Sequence, residues 1–245
     1  MRIVVVTGGS RGLGLAIVRR LAASGYCAIA VARRKSDELA SLMDETTGES
    51  QNGTVRFVPF DLGDLDKIQS FVAGLRKSFG PIYGLVNNAA LGTDGALSLM
   101  PNSKIAELVR LNTLSPIVLT KYVVRAMMAD GGGRVVNVAS IVAFTGYSGL
   151  SVYSATKASM LGFTRSLARE VGRMGVNVNA VAPGFLDTEM TEGMTDDQRA
   201  KVARRSALQR LPAVGDVGNA VAFLLSDDAR SITGTVLTVD AGSTA

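Results

Sequence analysis

The chain has 245 residues, 47% of them apolar and 19% charged, and 26 basic against 21 acidic side chains give a formal charge of +5. That balance suits one soluble globular domain with a large core, and the cations lie in short pairs such as Arg33-Arg34 rather than in a nucleic-acid patch. The absence of histidine and the single cysteine, Cys27, exclude His-based triads, His general bases, catalytic zinc of the His/Cys kind and any intrachain disulfide.

Short apolar or β-branched runs predict strands at 2–7, 27–32, 54–59, 82–87, 134–139, 176–182 and 235–239. Amphipathic stretches between them predict helices at 12–24, 36–47, 64–79, 101–129, 151–173 and 214–226. Strands this apolar are expected to be buried on both faces, so the alternation predicts a Rossmann-type, doubly wound α/β fold with a seven-stranded parallel sheet. No linker composition divides the chain, and a single domain over 1–245 is expected. The connection near 185–212, with Asp187-Thr188-Glu189-Met190, reads either as a substrate-covering segment or as ordinary surface helices. No run is apolar and long enough to cross a membrane or to be a signal peptide, and a reducing, cytoplasmic setting is expected.

The first strand enters Thr7-Gly8-Gly9-Ser10-Arg11-Gly12-Leu13-Gly14 and a helix follows at once. Glycines here allow a tight turn and let backbone N–H groups approach a pyrophosphate at the positive end of a helix. The second strand ends in Ala32-Arg33-Arg34-Lys35 with no acid before Asp37. An acid at that place would hold a ribose 2′-hydroxyl, whereas arginine suits a 2′-phosphate, so Arg33, Arg34 and Arg11 predict NADP(H) over NAD(H). Asp61-Leu62 after the third strand and Asn87-Asn88-Ala89-Ala90 after the fourth lie at the same sheet edge, with Asp61 placed to accept from an adenine amino group and Asp64 to cap the next helix.

Ser140 closes the fifth strand, and Tyr153 and Lys157 follow at a spacing that puts them one turn apart on one helix face. Without histidine they are the best acid/base pair in the chain, and an ammonium beside the phenol is expected to lower the Tyr153 pKa.

Together, Thr7 to Gly14, Asn87-Asn88-Ala89-Ala90, Asn112, Ser140, Tyr153-x3-Lys157 and Pro183-Gly184 resemble the short-chain dehydrogenase/reductases over essentially the whole chain. The resemblance implies hydride transfer between NADP(H) and a carbonyl, with Tyr153 as proton donor and Ser140 bonding the same oxygen. It further implies that Lys157 holds the nicotinamide ribose and that Asn112 anchors a relay water. The cofactor set it implies is Gly8, Ser10, Arg11, Gly12, Leu13, Gly14, Arg33, Arg34, Asp61, Leu62, Asn88, Ala89, Tyr153, Lys157, Pro183, Gly184 and Thr188, with no metal. An apolar substrate rim is expected from Leu91, Ile141, Val142, Phe144 and Met190, beside Ser140 and Tyr153.

Within the family, Ala158 to Glu170, Val178 to Phe185 and Val239-Asp240 are most similar to the β-ketoacyl-(acyl carrier protein) reductases. Ala129 and Asp130 stand where that branch often carries basic residues for docking an acidic carrier protein, and Met174 stands at a second such place with Arg173 one step earlier. Three functions follow: reduction of a 3-oxoacyl thioester on carrier protein or coenzyme A, reduction of another small carbonyl by the same chemistry, or cofactor-binding without turnover. The resemblance also implies a homo-oligomer, dimer or tetramer, joined through the long helices near 101–129 and 151–173.

Overall fold

Seven parallel strands form one sheet in the order β3-β2-β1-β4-β5-β6-β7. They are β1 (Ile3–Thr7), β2 (Cys27–Ala32), β3 (Thr54–Pro59), β4 (Ile82–Asn87), β5 (Gly133–Val138), β6 (Val176–Pro183) and β7 (Val236–Val239). The helices are α1 (Gly12–Ala23), α2 (Asp37–Glu45), α3 (Ile68–Phe79), α4 (Asn102–Val109), α5 (Ser115–Ala129), α6 (Ser151–Val171), α7 (Asp196–Arg205) and α8 (Val214–Leu225). The computed structural model describes residues 1–46, 53–186 and 195–245.

Successive side chains of a strand point to opposite faces, and β1 shows what this does to the core. Val4 and Val6 join Ile17, Val18 and Leu21 of α1, Leu39 and Leu42 of α2, and Val217, Val221 and Leu225 of α8. Ile3 and Val5 join Val72 and Leu75 of α3, Leu119, Val123 and Met127 of α5, and Ala168 and Val171 of α6 on the other face. The sheet is therefore covered on both sides, which is why its strands read as unbroken apolar runs. The strand order reverses between β1 and β4, and that switch point at the carboxyl edge opens the crevice where such sheets take ligands.

The stretch expected as one helix over 101–129 is divided. A π-helical turn over Arg110–Leu114 separates α4 from α5. Pro116 has no N–H to offer the carbonyl of Asn112 four residues back, so the α-helical ladder breaks there. Ser115 Oγ secures the turn, its one proton shared between the Leu62 carbonyl at 2.7 Å and the Arg110 carbonyl at 2.9 Å. In the connection after β6, α7 forms with Thr195 and Gln198 as a reciprocal cap. Among the described residues no helix is long and apolar enough to cross a membrane.

Candidate active site

The nucleotide end is built by close backbone approach. Gly8 has φ of +66°, and a Cβ there would sit 3.0 Å from the Ala89 Cα. A Cβ on Gly14 would strike the Gly8 carbonyl and Asn88. Gly12 has φ of +53° and faces open space. Arg11 is the N-cap of α1 without a side-chain cap bond, so no cap side chain consumes the first N–H groups of α1. This cradle fits a dinucleotide pyrophosphate: only glycine suits its tight positions, and donors stand at a helix start. Thr7 and Asn88 hold it in shape. Thr7 Oγ1 accepts from the N–H groups of Asn88 and Ala89, each at 3.0 Å, and Asn88 Nδ2 donates to the Thr7 carbonyl at 2.9 Å. Asn88 thus shapes the loop with its own side chain, and Ser10 enters through its carbonyl, which accepts from Ser36 Oγ at 2.5 Å. Arg33 and Arg34 extend exposed from the end of β2 and make no ion pair among the described residues.

The candidate catalytic end lies along the same edge, past β5. Ser140 caps a 3-10 turn over Ile141–Ala143, its Oγ accepting from the Val142 N–H at 3.4 Å. Tyr153 and Lys157 lie four residues apart near the start of α6, Lys157 buried and its Nζ donating to the Val138 carbonyl at 2.8 Å. Asn112 is buried in the π-helical turn. Its Oδ1 accepts from the Leu91 N–H and its Nδ2 donates to the Leu91 carbonyl, both at 2.8 Å, and to Thr156 Oγ1 at 3.2 Å. Thr156 Oγ1 in turn donates to the Tyr153 carbonyl at 2.7 Å. Both amide hydrogens of Asn112 are therefore spent on holding the loop after β4 against the turn that carries Tyr153. Asn112→Ala would leave the Leu91 amide and carbonyl without partners, and is expected to cost about 1–3 kcal/mol of stability and a larger share of kcat than of KM. Chemical denaturation and steady-state kinetics check this together; full stability with lost activity would give Asn112 a direct part in proton transfer.

Burial pushes the Tyr153 phenol up to about 12 and the Lys157 ammonium down to about 8. This corrects the expectation that Lys157 lowers the Tyr153 pKa. The ammonium is anchored on the Val138 carbonyl and lies over the Tyr153 ring, 5.7 Å from its centroid, so desolvation outweighs its charge. The tyrosine keeps its proton across the neutral range, as a proton donor requires. Lys157 is charged below about pH 8 and neutral above it. Reduction is therefore expected to hold level up to that pH and decline beyond it, and Lys157→Arg, whose charge persists, should lose that limb from the kcat/KM profile.

A family model described as short chain dehydrogenase matches residues 2–199. The chain belongs to the short-chain dehydrogenase family. It is 39% identical over 241 residues, 98% of this chain and 96% of the relative, to the 3-oxoacyl-[acyl-carrier-protein] reductase FabG of Escherichia coli (strain K12). It is 33% identical, over 98% of this chain and 89% of the relative, to the reductase MabA of Mycobacterium avium. Among solved structures, a mutant of a Serratia marcescens short-chain dehydrogenase/reductase superposes with a TM-score of 0.91 at 29% identity, covering 100% of this chain and 98% of that one.

Other residues expected at this short-chain dehydrogenase site lie as follows. Asp61 is exposed, and its Oδ1 accepts from the Gly63 N–H at 2.9 Å; Leu62 is buried. Asp64 takes the expected N-cap position, of the turn Leu65–Lys67, but its side chain makes no cap bond and pairs instead with Lys67 at 2.6 Å. Gly184 packs on Asp240, its N–H donating to the Val239 carbonyl at 3.0 Å, and Pro183 ends β6. Ile141 and Val142 are buried, Leu91 is half-buried, and Phe144, whose N–H donates to the Ile141 carbonyl at 3.1 Å, is exposed and lines a 450 Å³ hollow with Ala158, Leu161, Arg165 and Val236. Thr188 and Met190 lie outside the described residues. The sequence marks Thr7 only as the start of the glycine motif and gives no role to Thr156 or to the edge-to-face pair of Tyr147 and Phe185, whose ring centroids are 5.1 Å apart. Thr7 bonds residues 81 and 82 positions away and Thr156 accepts from Asn112 across 44, separations that no local pattern reports, although Thr156 also donates to Tyr153 three residues before it. Asp130, at the place where basic residues were noted to be missing, is engaged by Arg76 through two bonds of 2.7 and 2.8 Å.

Proposed function

We propose that the protein is a cytoplasmic, NADPH-dependent reductase of 3-oxoacyl thioesters, with its nucleotide and catalytic ends in a single domain. The observation that carries the chemistry is the half-buried Tyr153 one helical turn from buried Lys157, whose Nζ lies over the Tyr153 ring. The support for the substrate is the identity of 39% over 98% of the chain to a reductase of that name.

Reduced nicotinamide supplies the hydride when bound. Tyr153 donates its proton to the carbonyl oxygen as that oxygen gains charge. Ser140 donates a hydrogen bond to the same oxygen, which stabilises the developing negative charge. Lys157, held on the Val138 carbonyl, keeps a positive charge beneath the phenol and serves as the ribose contact. Arg33 and Arg34 receive the 2′-phosphate, and the glycine cradle the pyrophosphate. Asn112 holds the Leu91 loop and α6 in register.

A substrate panel tests the reading. Acetoacetyl-coenzyme A should exceed unactivated ketones, aldehydes and sugars in kcat/KM with NADPH. A polyol or sugar preferred over every thioester would overturn the substrate and leave the chemistry.

Assembly as a homo-oligomer belongs to the same reading. Val109 and Leu114 near the π-helical turn and Met128 at the end of α5 are exposed although apolar, as are Leu97 and Leu99 before α4. Such side chains gain by meeting a second copy. Light scattering at micromolar concentration should give a dimer or tetramer mass, and a monomer would refute the assembly.

A further inference from the structure

We infer that Ser115 and Arg110 are positioning residues that join the adenine end of the cofactor site to the proton-donating end, through the π-helical turn Arg110–Leu114. The inference rests on the cofactor reading above and adds to it a route by which one end of the dinucleotide serves the other.

The two ends are far apart in the sheet. The loop after β3, which carries Asp61, lies four strand spacings from the end of β5, where Ser140 stands, about 19 Å across. One short element touches both. On the adenine side, Ser115 Oγ bonds the Leu62 carbonyl at 2.7 Å and Arg110 Nε donates to the Gly63 carbonyl at 2.9 Å. Asp61 closes that same loop by accepting from the Gly63 N–H. On the catalytic side, Asn112 Nδ2 donates to the Leu91 carbonyl and to Thr156 Oγ1, and Thr113 Oγ1 meets Ser159 Oγ at 3.1 Å. Thr156 and Ser159 belong to α6, and Thr156 bonds the Tyr153 carbonyl.

The middle of this path is dry. Asn112, Ser115 and Thr156 are all buried, so a partner displaced there is not replaced by water. The turn also has two arrangements open to it. The single Ser115 proton is shared between the Leu62 carbonyl and the Arg110 carbonyl of its own turn. A loop that pulls away leaves that proton to Arg110 alone, and Pro116 has no N–H with which the α-helical ladder could take up the change. A ligand that favours the attached loop favours the arrangement that holds α6 and the Leu91 loop in place. Binding at the adenine end is spent in this way on orienting the reacting end.

The test supplies the cofactor in two pieces to the full chain. One is reduced nicotinamide mononucleotide, which lacks the adenosine half, and the other is adenosine 2′,5′-bisphosphate. The substrate is acetoacetyl-N-acetylcysteamine, a thioester with no adenosine of its own. Native turnover of the mononucleotide should rise about tenfold when the adenosine fragment is added at saturation. In Ser115→Ala and in Arg110→Met, each saturated with the fragment, the ratio of rates with and without it should fall toward one. A purely structural role would lower both rates and keep the native ratio. That result, or a native ratio of one with the fragment bound, would overturn the inference. A fragment that does not compete with NADPH would instead overturn the cofactor reading, and a native protein inert on this thioester with NADPH would overturn the substrate reading.

Discussion

Tyr153→Phe is expected to lower kcat with NADPH and acetoacetyl-coenzyme A by about 10²–10⁴-fold while leaving NADPH binding within a few-fold of native, since it removes the proposed proton donor and keeps the ring. With no histidine in the chain, no neighbouring imidazole can take over the proton. The variant keeps the ring over which Lys157 lies, and the Tyr153 backbone carbonyl that Thr156 bonds, so the fold around it should stand. Stopped-flow NADPH consumption and fluorescence titration of the cofactor measure the two halves separately. A variant that retains native kcat would remove Tyr153 from the chemistry altogether.

The second large effect concerns cofactor choice. Exchanging Arg33 and Arg34 together for serine should cost roughly 10²-fold in kcat/KM for NADPH and leave the constant for NADH little changed. Charge-assisted hydrogen bonds contribute about 1.5–3 kcal/mol each, and exposure of both guanidinium groups places them at the lower end. Ser36 gives this pair a rigid base, for its Oγ accepts from the Leu39 N–H at 3.1 Å and donates to the Ser10 carbonyl of the glycine loop at 2.5 Å. Equal preference for the two cofactors in the native protein would show that the arginines are only a solvated turn.

The sheet was legible because its strands are buried on both faces. Val4, Val5 and Val6 are apolar in succession, as a doubly covered strand demands, and the strand ends read from such runs agree with the structure to within a residue or two. The glycine turn and the Tyr153–Lys157 spacing were legible for a related reason, since both are local patterns tied to one helix start. What sequence did not yield was set by contacts over long separations. The π-helical turn at Asn112 interrupts a stretch whose amphipathic period runs on unbroken, and Pro116 was its only local signal. The direction of the Tyr153 shift depended on how far the folded chain withdraws the phenol from water, which a spacing of four residues does not report. Asn88 and Thr7 likewise read as a ligand contact and the first residue of the glycine motif, yet they bond each other across β1 and β4.

The most direct measurement is the fate of the hydride. NADPH deuterated at the nicotinamide carbon that gives it up is mixed with acetoacetyl-coenzyme A and the native protein, and the thioester product is analysed by mass spectrometry. The account requires a 3-hydroxyacyl product with deuterium on the carbon that carried the ketone. Unchanged thioester with NADPH bound, or a product free of deuterium, would contradict it.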